Sequence, residues 1–228
     1  MKIPSITNGY EQRFCAFIDF LGFSDAVRRG IWTPHEIVSA MKKAAKVSGG
    51  EESLIRVTQF SDSLFLSAPA TNSLALYSMV STAFFLTIEL AAHGILLRGG
   101  ITKGELYHQD TLAFGPAFIR AYNLEQAANT PRIIVDADIL EHGPWPDEMD
   151  DSEIDQLFNI SLPQDFDGWR YIDYLSKEHA SEFDEGDIGL ERHYSTLNSL
   201  VQQHKNSLDA SIRTKYGWLA AKLKQVGR

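Results

Sequence analysis

The feature that most constrains this chain is the run Arg13-Phe14-Cys15-Ala16-Phe17-Ile18-Asp19-Phe20, an apolar stretch with an aspartate near its end. Its β-branched and aromatic content, closed by Leu21-Gly22-Phe23, predicts a buried strand. A carboxylate beside such a run is costly unless it is paired, hydrogen-bonded or metal-bound. A second carboxylate, Asp62, sits with Ser61 between the apolar runs 53–59 and 63–68, which read as a hairpin lacking the common Asn-Gly turn. If the first strand lies beside this hairpin, Asp19 and Asp62 meet at one edge of a sheet. Two carboxylates so placed repel, and divalent cations relieve that repulsion while collecting phosphate oxygens. Taken singly, each is ordinary as a turn or helix-capping aspartate.

The rest of the chain alternates helices and strands. Ser24 reads as a helix N-cap before Asp25-Ala26-Val27, and Thr33-Pro34 opens a second helix with Ile37, Met41 and Ala45 on one face, stopped by Gly49-Gly50. Residues 72–93 predict a long helix closed by Gly94. Residues 95–107 predict a long strand whose three glycines suggest bulges or close backbone approach. Gly115-Pro116 opens a helix through about Asn129, and Pro131 to Val135 form a short strand. Val135-Asp136-Ala137 leads into another helical turn, and Trp169 to Leu175 form a final strand.

The Pro- and acid-rich residues 143–167 read as an exposed insertion. Two amphipathic helices follow. The first, 188–205, carries Leu190, Tyr194, Leu197 and Val201 on its apolar face; the second, 207–225, carries Ile212, Tyr216, Leu219 and Leu223. This order predicts an α+β fold with helices packed on a mainly antiparallel sheet. It divides into a domain over residues 10–176 and a C-terminal helical extension over 177–228, which packs on the domain or extends an interface.

With 228 residues, 44% hydrophobic and 11% aromatic, the chain has ample material for a packed core. A net charge of −9 argues against nonspecific binding along a polyanion, and no nucleic-acid partner is expected. The single Cys15 excludes an internal disulfide and a thiolate metal site, and in its apolar run it reads as a small buried hydrophobe. The leading residues MKIPSITNGYEQR carry no apolar core of signal-peptide length. The longest apolar stretch, Leu74 to Leu97, is interrupted by Ser78, Ser81, Thr82, Thr87, Glu89 and His93, groups costly to expose to lipid. A soluble, cytoplasmic protein with no membrane contact is the expectation.

Four segments occur in order along residues 13–175: Phe17-Ile18-Asp19-Phe20-Leu21-Gly22-Phe23, Arg56-Val57-Thr58-Gln59-Phe60-Ser61-Asp62, Leu97-Arg98-Gly99-Gly100-Ile101-Thr102-Lys103-Gly104, and Phe114-Gly115 followed by Ala121-Tyr122-Asn123-Leu124-Glu125. Together they resemble the class III nucleotidyl cyclase domain. The first is similar to its opening Phe-x-Asp-Ile-x-Gly-Phe, the second to its second metal motif, which usually ends Gly-Asp, and the third to its Arg-x-Gly-Ile-x-x-Gly strand. The fourth is similar to its Trp-Gly-x-x-Val-Asn-x-Ala-x-Arg-Leu helix.

The resemblance implies a ferredoxin-like core of βααββαβ type that works as a homodimer with active sites at the interface. It implies that Asp19 and Asp62 hold two divalent ions, Mg2+ or Mn2+, against a nucleoside triphosphate. The 3′-hydroxyl of that substrate attacks the α-phosphorus and pyrophosphate leaves. On the same basis Arg98 and the backbone of Phe20, Leu21, Gly22 and Phe23 are substrate contacts, since N–H groups at a helix start suit a β- or γ-phosphate.

The chain also departs from the family. The base-selecting position four residues before the second metal aspartate is Thr58, and the other base-selecting position falls on Leu112. The transition-state Asn aligns with Ile119 and the Arg four residues later with Asn123. Residues 116, 119, 120 and 123 share one helical face, which makes Arg120 and Asn123 the candidates for triphosphate contact. Arg120 reads equally as a solvated or interface cation. Thr58 can donate or accept without charge, which suits a pyrimidine edge as well as a purine one; by itself it is an ordinary β-branched strand residue.

A short cyclase with these departures looks like the pyrimidine (uridylate) cyclases of bacterial Pycsar antiphage systems, which make cyclic UMP or cyclic CMP as an alarm for a separate effector. On that resemblance UTP is the favoured substrate. The alternatives are an adenylate or guanylate cyclase with an atypical base pocket and a noncatalytic nucleotide-sensing relative.

Overall fold

The computed structural model of the chain describes residues 9–30, 33–36, 38–39, 54–72, 74–142, 162–176 and 187–228. The first strand, β1 (Glu11–Leu21), is hydrogen-bonded antiparallel on one side to β3 (Ser63–Pro69) and on the other to β4 (Leu96–Gln109). A strand flanked on both edges and covered on both faces has no solvent side, which is why its sequence is apolar without alternation. β2 (Arg56–Phe60) pairs with β3 through the turn at Ser61-Asp62, where Ser61 has a left-handed φ of 49°. β5 (Leu112–Phe114) folds back on the end of β4, β6 (Ile133–Val135) runs parallel to β4, and β7 (Arg170–Tyr171) lies antiparallel on β6.

Among the described residues the sheet order is β2-β3-β1-β4-β6-β7, with β5 beside β4. The first four strands thus lie as β4-β1-β3-β2, the ferredoxin-like order, and β4–β6 is the parallel pair in an otherwise antiparallel sheet. The α+β architecture expected from the sequence is the one found.

The helices are α1 (Phe23–Arg28), α2 (Ala75–Ala91), α3 (Pro116–Ala128), α4 (Ala137–His142), α5 (Asp187–His204) and α6 (Ala210–Gln225). Successive side chains of β1 go to opposite faces of the sheet. Phe14, Ala16, Ile18 and Phe20 enter the main core with α2 and with Tyr194, Leu197, Val201, Trp218, Leu219 and Leu223 of α5 and α6. Cys15 and Phe17 enter a second cluster with Phe65, Leu106, Ala117, Phe118 and Ala121, beneath α3. The C-terminal helices therefore share the main core. Asp165, before β7, fastens α6 by pairing with Arg132 and Lys222 and accepting the Trp218 indole N–H at 2.7 Å.

The glycines of β4 serve close approach. A Cβ on Gly100 would stand 2.2 Å from Leu124 Cβ and 2.9 Å from the Glu125 amide nitrogen, so α3 lies against bare backbone there.

Several expectations are corrected. Ser24 is inside α1, which starts at Phe23 after Gly22 turns the chain with a φ of 77°, so it is no N-cap. At Thr33 the expected helix start carries a reciprocal cap: the Glu36 amide donates to Thr33 Oγ1 at 3.3 Å, and the Thr33 amide and hydroxyl donate to Glu36 Oε2 at 2.8 and 2.7 Å. Ile37, Met41, Ala45 and Gly49-Gly50 lie outside the described residues.

The strand expected over 169–175 is confined to Arg170–Tyr171, because Tyr174 and Leu175 turn into the core and the Tyr174 hydroxyl donates to Pro131 O at 2.9 Å. Of the acidic insertion, residues 143–161 lie outside the description. Residues 162–167 are not simply exposed, since Leu162 and the ion-paired Asp165 are buried. The short β5, with Leu112 and Phe114 exposed, gave no period-two signal and was not expected. No helix among the described residues is long and apolar enough to cross a membrane.

Gly100→Ala should lower stability by about 1–3 kcal/mol through overpacking. Gly217→Ala, in open space on α6, should raise it by about 0.5–1 kcal/mol. Thermal unfolding of the two variants checks both signs.

Candidate active site

Asp19 shares a sheet face with Cys15 and Phe17, the face beneath α3. In register with it stand Ser63 on β3 and Arg98 on β4. The β2–β3 turn brings Asp62 to the same strand end, where the Asp62 carbonyl accepts the Phe20 amide at 2.9 Å. Both aspartates are half-buried. The Arg98 guanidinium lies between two carboxylates: its Nη2 is 3.5 Å from Asp19 Oδ2 and in direct contact with Glu125 Oε1 on α3. Burial pushes the Asp19 carboxyl above the ordinary range; Arg98 opposes the rise and the Asp62 charge adds to it. Glu125 is raised as well, first by burial, against the pull of Arg98 and with the repulsion of Asp19.

Two half-buried carboxylates at one strand end fit an ion of the Mg2+ or Mn2+ class, which takes oxygen donors and is commonly held by one or two carboxylates plus substrate phosphates. Among the described residues no group of three or more His, Cys, Asp or Glu side chains could hold a metal.

Of the residues expected to cradle phosphate, Phe20 has its amide committed to Asp62, and Leu21 sits in the ladder opposite Leu96. Gly22 is the turn beyond the ladder and Phe23 opens α1. Arg120 and Asn123 lie on the exposed side of α3. Arg120 is directed to the corner between β6 and α4, with its Nη2 2.8 Å from Asp136 Oδ1 and 2.6 Å from Asp138 Oδ2. Asp136 also accepts the Thr102 hydroxyl at 2.6 Å.

Thr58 is buried on the same sheet face as Asp19, inside a polar relay. Arg13 Nε donates to Ser67 Oγ at 2.9 Å, and Ser67 Oγ is 2.7 Å from His108 Nδ1. His108 Nε2 is 2.8 Å from Thr58 Oγ1, and the Thr58 hydroxyl donates to Asp110 O at 3.3 Å. The Asp110 carbonyl can only accept, so Thr58 spends its proton there and accepts from Nε2, which leaves Nδ1 of the neutral ring as an acceptor. Ser67 turns its proton to Nδ1, and His108 carries its own on Nε2 and donates to Thr58. Burial, then Arg13 and Arg56, hold the His108 imidazole down at about 4, so it is neutral. Thr58 has therefore spent its donor and retains only acceptor capacity, narrower than its sequence allowed.

Glu125 and His108 were not expected in the site. Glu125 did carry a signal, as a carboxylate spaced with Ala121 and Ala128 on the buried face of α3; His108 carried none. Beside these groups is an aromatic cluster in which Phe118 contacts Phe17, Phe60 and Phe65 with centroids at 5.6, 6.3 and 4.6 Å, and Tyr122 contacts Phe17 at 5.4 Å. Phe60, Ile119 and Tyr122 are 39%, 61% and 45% exposed.

No protein-family model matches the chain, and no curated protein matches it. Among solved structures, it is similar to the adenylyl cyclase CyaB from P. aeruginosa, at 13% identity over 58% of this chain and 80% of that one, with a TM-score of 0.48. It is similar also to the catalytic core of a rhodopsin-guanylyl cyclase with converted specificity, at 12% identity over 71% and 93% of the two chains, TM-score 0.46. A class III adenylyl cyclase-like ATP-binding protein from Pseudomonas aeruginosa matches at 12% identity over 68% of this chain and 42% of that one, TM-score 0.41. At such identities and TM-scores these likenesses bear on neither activity nor substrate.

The neutral His108 makes stability depend on pH. Below its ordinary value of 6.5 the unfolded chain takes up a proton that the folded chain refuses until about 4, so stability present above 6.5 is lost as pH falls across that window. His193, buried and likewise held at about 4, acts in the same sense. Each should remove on the order of 2 kcal/mol across the window. In urea titrations at stepped pH, His108→Gln should flatten the fall by its share.

Proposed function

We propose that this chain is a metal-dependent nucleotidyl cyclase that converts a nucleoside triphosphate, UTP by preference, to its 3′,5′-cyclic monophosphate and pyrophosphate. The observation that carries this reading is the meeting of Asp19 and Asp62 at one end of the central strand. Asp19 and Asp62 would hold the ions. When bound, two Mg2+ or Mn2+ ions neutralise charge on the attacking and leaving oxygens and lower the pKa of the 3′-hydroxyl. The chain's own part is positional, because the nucleophile is the sugar hydroxyl and no side-chain nucleophile is needed. Arg98 and the backbone turn at Gly22 and Phe23 stand where phosphate oxygens would be received. Thr58 offers a base one acceptor, which suits an edge presenting an N–H, as uracil does at N3.

The exposed Phe60, Ile119 and Tyr122 beside the carboxylates support a homodimer with its sites at the interface, since a second copy would cover apolar surface left open in one. The role in antiphage defence, with the product passing to a separate effector, rests on the resemblance to pyrimidine cyclases. A second reading, a noncatalytic nucleotide sensor, is favoured by the engagement of Arg120 with Asp136 and Asp138.

Incubation with each of the four nucleoside triphosphates and Mn2+, read by mass spectrometry, tests the proposal. Cyclic UMP from UTP is expected, and Asp62→Ala should cut turnover at least about a hundredfold with an unchanged unfolding midpoint. Product from ATP or GTP alone assigns the purine alternative. Binding without any product assigns the sensor.

A further inference from the structure

Arg98 is the cation that a metal ion at Asp19 must displace. The two residues face each other across the β1–β4 ladder. Were they a simple cross-strand pair, an ion could reach Asp19 only by stranding a half-buried guanidinium, its side chain 17% exposed, which is unfavourable. The geometry differs from that. The Asp19 contact, at 3.5 Å, lies at the outer limit of a hydrogen bond, whereas Glu125 is in direct contact with the same Nη2. Glu125 is also the deeper partner, its side chain 1% exposed against 23% for Asp19. It reaches this depth because Gly100 admits α3 onto bare backbone. Its other oxygen accepts from Gln126 Nε2, while Oε1 meets Arg98 as an ion pair and has no hydrogen-bond partner among the described residues.

We infer that Glu125 is a positioning residue that holds the Arg98 guanidinium off Asp19, leaving Asp19 free to exchange arginine for a divalent cation without orphaning a half-buried charge. This rests on the reading of Asp19 and Asp62 as metal ligands. Arg98 stays paired whether or not an ion is bound: it leans on Asp19 in the empty site and falls back wholly on Glu125 in the loaded one. Among the described residues the carboxylates Asp19, Asp62 and Glu125 outnumber the cations Arg98 and Lys215 that act on Asp19, so these groups retain attraction for a further positive charge.

The test is Mn2+ binding to the full chain without nucleotide, followed by the electron paramagnetic resonance of the free ion. Glu125→Gln should weaken binding about tenfold, the scale of lost outer-shell partners, because Arg98 then closes on Asp19. Removing Arg98 as well, in the Arg98→Gln/Glu125→Gln double variant, should restore affinity to the wild-type level or beyond. A merely structural Glu125 would lower the unfolding temperature and leave Mn2+ affinity unchanged, and a folded Glu125→Gln protein with wild-type affinity overturns the inference. Should Glu125→Gln not fold, Arg98→Gln alone decides: binding tighter than wild type supports the exchange, and equal or weaker binding overturns it. Wild-type protein that binds no Mn2+ removes the cyclase reading together with this one. Binding that Asp62→Ala abolishes and Glu125→Gln leaves untouched removes this one alone.

Discussion

The contact between α3 and the bare backbone of β4 at Gly100 sets much of what surrounds Asp19. A side chain at that position would meet Leu124 and the Glu125 backbone, and the helix would have to rise off the sheet. Because it does not rise, Glu125 is carried below the reach of water and onto Arg98, and Arg98 is steadied opposite Asp19. A buried carboxylate is tolerable only with such a partner. The absence of a Cβ on one strand thus shapes the company of a carboxylate on its neighbour. The same closeness brings Phe118 and Tyr122 against Phe17, which fixes where the apolar opening beside the site lies.

The sheet face under α3 handles polarity in two ways. At the Asp19 end, charge is in excess and incompletely matched, with Arg98 shared between two acceptors and Asp62 at the turn. At the Thr58 end, polarity is nearly used up: each hydroxyl and ring nitrogen from Arg13 to Asp110 has a partner, the imidazole is neutral, and one acceptor site on Thr58 is left over. A satisfied relay of this kind binds the edge strand β2 to the end of β4 and rigidifies the hairpin that presents Asp62. The unsatisfied end is where a ligand has something to gain, and the satisfied end keeps that place in shape.

How much of this was legible follows from what each signal depends on. The central strand, the hairpin and the long helix could be read because burial on both faces and helical periodicity both write themselves into residue order. The meeting of Asp19 and Asp62 could be stated as a condition, since it needed only that β1 lie beside the hairpin. The depth of Glu125 could not be stated, although its spacing with Ala121 and Ala128 put a carboxylate on a buried face, because its partner is 27 residues away on another element. His108 was invisible for the same reason: it matters through Thr58 and Ser67, which lie 50 and 41 residues from it. The preference of Arg120 for Asp136 and Asp138 depends on the corner into α4, whose position follows from the parallel pairing of β6 and not from local sequence.

The C-terminal helices enter this picture through a chain of direct contacts. Trp218 and Lys222 of α6 hold Asp165, and Asp165 pairs with Arg132, whose carbonyl accepts the amide of Gly99 at 3.1 Å. Gly99 is the residue after Arg98. Removal of α6 would take Trp218 and Lys222 from Asp165 and open the buried Arg132–Asp165 pair to water. It would also uncover the main core over Leu219 and Leu223. The division of the chain at residue 177 is therefore one of sequence pattern. Physically the extension braces the junction of β4 and β6, and with it the strand from which Arg98 reaches Asp19.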